Sequence, residues 1–502
     1  MNKGPLSLGA AIPLAEVPGD WLVVGVWENE PFAQSVAALD ARLNGDLTRL
    51  KESGDLTGKA LEIVALPSPH GIAARRVCLV GLGQIAKAGR AELHDAAAAA
   101  LRSITGKRFD RVALALPDPS PPLPLPEALL AFGVGAAQGS VGPGIRKSDP
   151  GRFLPGTIVL ACPPGADVRS LEPALGRANA EARALMLARE LVNTPPCDLF
   201  PQSFAERCQL VARERGFSCE IWDEERLRSE RMNSILGIAQ GSERPPRLVT
   251  LRHRHGGDRP ALALVGKGVT FDSGGLSLKT NEQMIDMKCD MAGAAAVLAA
   301  FQAIADLNVP VNLFGFLPLV ENLPGGRAIK LGDVLTARNG KTIEILNTDA
   351  EGRVILSDAL AYAAEQKPGH IVDLATLTGS CMIALGTEIA GLMTNNEAWG
   401  ERVGAAIRRA GERAWPLPMD EDFEELLKSK VADLRNSPPT RYGGAIAGAK
   451  FLEQFVGDVP WVHLDIAGPA WADHDSPARD PGGTGAFVRS LVELAHGYAA
   501  AP

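Results

Sequence analysis

For its length of 502 residues, the chain has few cysteines and no arrangement of them that forms a framework. Seven stand at positions 78, 162, 197, 208, 219, 289 and 381, with no CxxC pair. That argues against a disulfide scaffold or a zinc knuckle and for reduced thiols in a cytoplasmic protein. An excess of positive charge is also lacking. Lys+Arg total 51 against 59 Asp+Glu, a net charge of −8. A dedicated nucleic-acid coat is thereby excluded, though not a local basic patch. Long hydrophobic runs are missing too. The best candidate for a membrane span, 128–145, contains five Gly and Pro143 and makes a poor spanning helix. Pro5 and Pro13 break the apolar run at the start, so no secretion signal is expected. No repeat of fixed period is present.

What is there reads as globular. Apolar residues at 46% and charged residues at 22% exclude disorder as the main state. The length predicts about two to four domains. Short Val/Ile/Leu-rich runs at 21–27, 61–66, 76–83, 111–117 and 157–162 predict strands, with a helix over 91–104. Pro-rich punctuation follows at 117–126. The segment 171–192 predicts one long helix, stopped by Pro195 and Pro196. Alternation then resumes. Strands are expected at 261–268, 311–320, 342–346, 370–377 and 459–468, and helices at 291–307, 353–366 and near 486–498. The expected class is α/β: an N-terminal α/β domain over 1–168, a connecting helix over 169–192 and a larger C-terminal domain over 193–502. A doubly wound sheet of this kind binds ligands beyond the carboxyl ends of its strands.

Two segments carry ionisable groups where chemistry is expected. In LVGKGVTFDSGGLSLKTNEQMIDMKCDM (264–291), Lys267, Asp272, Lys279 and Asp290 stand among glycines and apolar neighbours. Such groups, once buried, need partners or a metal. The second segment, NTDAEGR (347–353), follows a predicted strand and precedes a predicted helix, placing Asp349, Glu351 and Arg353 at a strand end. Pooled, Asp272, Asp290, Asp349 and Glu351 would repel one another strongly. Two divalent cations about 3.5–4 Å apart would compensate them. Oxygen donors suit Mg²⁺, Mn²⁺ or Zn²⁺, and a neutral Lys could add a nitrogen. None of the eight His falls in either segment, which argues against a His-based zinc site.

VGKGVTFDSGG together with NTDAEGR resembles the cytosolic leucine aminopeptidase family of bimetal exopeptidases. The similarity extends over most of 190–490, including ENLPGGRAIKLGDVL (321–335), DLATLTG (373–379), RYGGAIAGAKFLEQF (441–455), WVHLDIAG (461–468) and GGTG (482–485). The resemblance implies a macro-like N-terminal domain and a catalytic domain built on a central mixed, mostly parallel sheet. It implies that Asp272 and Glu351 bridge two ions, Mn²⁺ or Zn²⁺. Lys267 and Asp290 would complete the tighter site and Asp349 the looser one. Lys279 would stabilise an oxyanion, and Arg353 would hold a bicarbonate acting as general base. Thr376 and Leu377 would contact the substrate backbone, and Met287 would line an apolar side-chain pocket. The implied activity is release of N-terminal leucine and other apolar residues from peptides. The implied assembly is a cytoplasmic homohexamer, a dimer of trimers, with no membrane association. DNA binding, which some bacterial relatives show, is not favoured at a charge of −8.

Plainer alternatives stand beside these. Asp290, ahead of a predicted helix, could be an N-cap. Asp349 and Glu351 could simply favour a helix start. GLGQIAKAG (81–89) predicts a tight strand-to-helix turn, not a nucleotide loop. The basic RHRH (252–255) is expected as a solvated loop, His463 as a core histidine and Cys289 as a buried, inert thiol.

Overall fold

The computed structural model describes residues 5–117 and 123–500, so 118–122 of the Pro-rich stretch lie outside the described residues. Contacts divide the chain into two compact units. One runs to Met186 and includes Asp473–Pro481; the other comprises Leu187–Ala472 and the chain from Gly482 onward. Division along the chain alone would not have placed 473–481 with the first unit. Within that unit this segment is pinned by Asp475, 2.6 Å from Arg102, and by Asp480, which pairs with Arg102 and Arg152.

The first unit is built on a six-stranded sheet. Its order is Leu6–Leu8, Thr157–Ala161, Arg111–Ala115, Trp21–Trp27, Val77–Gly83 and Ile63–Leu66. All neighbours are parallel except the last pair. Val77–Gly83 is buried throughout, as a parallel strand covered on both faces should be. Helices Arg90–Ile104 and Leu125–Gly139 pack closely because small residues meet at their interface. A Cβ on Gly135 or Gly139 would strike the backbone of His94 or Ala98. The charge-free stretch 128–145 is therefore largely a core helix. Gly81–Gly83 end the strand, and residues 84–89 make the strand-to-helix connection through a short 3-10 turn at Ile85–Lys87.

The second unit carries a nine-stranded sheet. Its order is Ala414–Pro416, Ala390–Thr394, Trp461–Asp465, His370–Ala375, Leu262–Gly266, Asn312–Asn322, Arg247–Arg254 and Ser218–Trp222, with Gly268–Asp272 also pairing with Asn312–Asn322. The four central strands are parallel and the flanks are mostly antiparallel. Ala263 and Val265 join a core with helix Glu351–Glu365, while Leu262 and Leu264 alternate to the other side. Helices Pro201–Arg215, Ala292–Asp306, Glu397–Arg409 and Val488–Ala499 form one packed group, and Asn233–Ala239, Glu351–Glu365 and Gly444–Glu453 another. The stretch Asn281–Asp306 is long and apolar enough to cross a membrane, but 94% of its most apolar window is buried inside the protein.

Two expectations are corrected. RHRH is not a loop. Residues 252–254 end the strand Arg247–Arg254, antiparallel to Asn312–Asn322. Strand alternation explains the composition: His253 is buried, its ring nitrogen 3.1 Å from Val309 O, while Arg252 lies over Phe314. The strand within 342–346 spans only Thr342–Glu344 and does not belong to the large sheet. It pairs with Val334–Thr336 and Leu434–Arg435 in a separate three-stranded sheet.

Close approach of helix Ala292–Asp306 to the central strands depends on glycine. A Cβ on Gly266 would lie 2.6 Å from Ala294 Cα, and one on Gly293 would run into the Leu374 carbonyl. We predict that Gly293→Ala destabilises the protein by about 1–3 kcal/mol through overpacking, read as a lower denaturant midpoint at unchanged slope. An unaltered midpoint would contradict this packing.

Candidate metal centre and active site

The carboxyl ends of the central strands deliver the charged groups. Lys267 directly follows Leu262–Gly266, and its N–H donates to Leu374 O at 3.0 Å. Asp272 ends Gly268–Asp272. The chain then turns through Gly274 and Gly275, whose φ angles of 83° and 61° favour glycine. Asp272 Oδ1 accepts from Gly274 N–H and from Asn322 Nδ2, both at 2.8 Å. Asn322 Nδ2 also donates to Thr348 O at 2.9 Å, tying the two acidic segments together. Asp290 follows a 3-10 turn at Met287–Cys289. It does not cap the next helix, whose N-cap is Met291. Asp349 lies in the loop before Glu351, the first residue of helix Glu351–Glu365.

Asp272, Asp290 and Glu351 are 2%, 4% and 1% exposed, and an oxygen from each lies within 4.8 Å of the others. Lysines hold them together. Lys267 Nζ is 2.7 Å from Asp290 Oδ1 and 2.9 Å from Glu351 Oε1. Lys279 Nζ is 2.9 Å from Asp272 Oδ2 and 2.5 Å from Asp349 Oδ1. Burial opposes the charge on both ammonium groups, yet the surrounding carboxylates outweigh it and hold each lysine above its ordinary pKa. Burial and mutual repulsion hold Asp272, Asp290 and Asp349 above the usual carboxylate range despite the lysines. Asp290 Oδ2 and Glu351 Oε2 are buried without a hydrogen-bond partner. Buried oxygens that repel one another and lack donors fit divalent cations.

Other predicted residues gather at the same cleft, of about 530 Å³. Arg353, on the first turn of its helix, is 6% exposed, and its Nε and Nη1 have no acceptor. Burial pushes its pKa down to about 10, against the opposing pull of Glu351 and Asp465. A guanidinium left in this condition fits an anion. Gly352, between Glu351 and Arg353, leaves room for the Lys267 side chain: a Cβ there would lie 2.6 Å from Lys267 Nζ and displace it from its acids. Thr376 Oγ1 donates to Asp290 Oδ1 at 2.7 Å, and Thr376 O accepts from Lys267 Nζ at 3.0 Å. Met287 and Leu377 line the cleft with Met382 and Ala467. Cys289 is buried, and burial raises its thiol pKa. His463 is a core residue, its Nδ1 2.6 Å from Asp373 Oδ1, though its Nε2 has no partner.

Sequence reasoning missed the amides and the carboxylate that brace these loops. Asn436, fully buried, accepts from Leu346 N–H at 2.9 Å and donates to Asn347 O at 2.6 Å. Asp465 accepts from the N–H groups of Leu377, Thr378 and Ala467 and from the Thr378 hydroxyl. One signal was available for Asp465: like Asp272, it is an acid ending an apolar strand at the ligand edge.

Comparison with known proteins agrees with this geometry. The profile of the cytosol aminopeptidase family catalytic domain matches residues 186–492, and that of the family's N-terminal domain matches 23–140. A probable cytosol aminopeptidase of Rhodopirellula baltica is 45% identical, over 91% of this chain and 88% of that protein. One from Syntrophotalea carbinolica is 41% identical, over 96% and 98%. Among solved structures, the bottromycin maturation enzyme BotP in complex with Mn superposes with a TM-score of 0.84 at 35% identity, covering 96% of this chain and 99% of that one. A tomato leucine aminopeptidase mutant gives 0.84 at 35%, covering 98% and 96%. Fold and site thus define a metal-dependent peptidase. The chain belongs to the cytosol aminopeptidase family.

Because protons compete for carboxylates whose pKa values are raised, metal binding should strengthen with pH. We predict that Mn²⁺ raises the melting temperature of chelator-stripped protein, more at pH 8 than at pH 6 at equal free metal. Equal shifts in a fluorimetric melt would contradict this.

Proposed function

We propose that this metallo-aminopeptidase removes leucine and other apolar residues from peptide N-termini, and that two divalent ions serve each active site. The convergence of Asp272, Asp290 and Glu351, with oxygens left unpartnered, is the observation that carries the reading. Asp272, Asp290, Asp349 and Glu351 would hold the ions, and Lys267 would join them as a neutral amine only where an incoming cation displaces its proton. Mn²⁺ or Zn²⁺ held there supplies Lewis acidity and lowers the pKa of a water toward neutrality.

The chain's own residues do the rest. The metal-holding end of the cleft would receive the substrate's free amine, which restricts cleavage to N-termini. Lys279 lies in the cleft wall, protonated, where it can oppose charge developing on the scissile carbonyl oxygen. Arg353, buried and short of acceptors, would hold bicarbonate, which supplies a base. Thr376 and Leu377 would orient the peptide backbone, and Asp465 keeps their loop rigid. Met287 and Met382 make the neighbouring wall apolar, which supports a preference for leucine. A cytoplasmic homohexamer belongs to the same proposal. Exposed Leu278, Ile285 and Ile383 are apolar groups that such an assembly would cover.

The test is hydrolysis of leucine p-nitroanilide by metal-reconstituted protein. We predict metal-dependent turnover and none of the N-acetylated substrate. Lys279→Ala should lower kcat about 10²–10³-fold at matched metal content. Full activity in that variant, or cleavage of the acetylated substrate, would refute the mechanism. Added bicarbonate should accelerate wild type and leave Arg353→Ala unaffected; equal acceleration of both would remove Arg353 from that role.

A further inference from the structure

We propose that Arg441 binds the C-terminal carboxylate of dipeptides, so that dipeptides with both termini free are preferred over their amides. The inference rests on the aminopeptidase reading and concerns the opposite end of the substrate.

Arg441 belongs to a segment braced at both ends. Asn436 fastens its start to the Asp349 loop, through Leu346, Asn347 and Ala350. At its end, Gly443 turns at φ 64° into helix Gly444–Glu453, and Gly444 packs against the Ser380 hydroxyl of helix Gly379–Leu385. Ser437, Pro438, Thr440 and Arg441 line the cleft between these anchors. Two consecutive prolines, Pro438 and Pro439, stiffen the segment. The Tyr442 N–H donates to Thr440 Oγ1 at 3.2 Å.

Charge then singles out Arg441. Lys267 and Lys279 are committed to the four carboxylates, and Arg353 is buried. Arg441 is exposed, its guanidinium lies 5.5 Å from the Tyr442 ring centroid, and among the described residues no carboxylate pairs with it. With Arg353 buried and assigned to bicarbonate, Arg441 is, among the described cleft residues, an exposed cation left to meet an anion arriving from solvent. A dipeptide held by its amine at the metal-holding end of the cleft carries a carboxylate one residue beyond the scissile bond. A guanidinium matches that group with two parallel hydrogen bonds. Amides and anilides lack that charge, and longer peptides carry it farther along the chain.

The experiment compares kcat/KM for Leu-Gly, Leu-Gly-amide and leucine p-nitroanilide in wild type and Arg441→Gln, all metal-loaded. Because the pair is solvent-screened, the expected wild-type preference for Leu-Gly over its amide is about two- to fivefold. It should be carried by KM and decline with added salt. In Arg441→Gln the ratio should approach one, and Arg441→Lys should restore part of it. Ratios are read against the anilide in the same preparation, which corrects for any loss of folded or metal-loaded protein. A wild type that treats Leu-Gly and its amide alike, or an Arg441→Gln variant that keeps the preference, overturns the inference while anilide turnover leaves the peptidase reading intact. Inactivity on all three substrates refutes that reading, and this inference with it.

Discussion

Four carboxylates brought to one sheet edge repel one another, and most of the second unit's architecture around them serves to keep them there. Burial sharpens the repulsion, because water no longer screens it. Two lysines reduce it, each spanning a pair of acids: Lys267 between Asp290 and Glu351, Lys279 between Asp272 and Asp349. That compensation is partial, and unpartnered oxygens remain on Asp290 and Glu351. A site held in this condition has a standing affinity for divalent cations.

The large sheet supplies the rigidity such a cluster needs. The parallel central strands, with Gly268–Asp272 parallel beside Asn312–Asn322, end on the same side, so Lys267 and Asp272 emerge beside Thr376 and Asp465 although about a hundred residues or more separate the first pair from the second. The helix Glu351–Glu365 brings Glu351 and Arg353 in from its first turn. Glycine permits the fit where side chains would collide: Gly293 against Leu374, and Gly352 against Lys267. Neutral and acidic braces complete the arrangement. Asn322 bridges Asp272 to Thr348, Asn436 fastens the loop of Asp349, and Asp465 holds the loop of Thr376 and Leu377. These groups touch no substrate in the proposed mechanism, yet the positions of those that do depend on them.

Much of this was legible in the chain. Runs such as 21–27, 111–117 and 370–377 became strands because Val-, Ile- and Leu-rich segments bounded by turn residues have few other ways to bury themselves. The acidic motifs stood out because ionisable residues interrupt otherwise apolar, glycine-rich sequence. RHRH misled because charge suggests solvent, whereas alternate residues of an edge-proximal strand can hide His253 and lay Arg252 across Phe314. The run at 342–346 misled differently: hydrophobic pattern identifies a strand but not the sheet it joins.

The sequence by itself determined the alternating α/β order, the breaks at proline and glycine, and the set of acids and lysines available for chemistry, since these follow from local propensity and from the cost of burying charge. Only the tertiary structure decided which lysine pairs with which acid, that Asp290 does not N-cap the helix that follows it, that 473–481 packs with the first unit, and that Arg441 stands in the cleft wall with no carboxylate partner among the described residues. Those outcomes depend on distances between residues tens to hundreds of positions apart. Such distances are fixed by strand order and close packing, which local sequence does not encode.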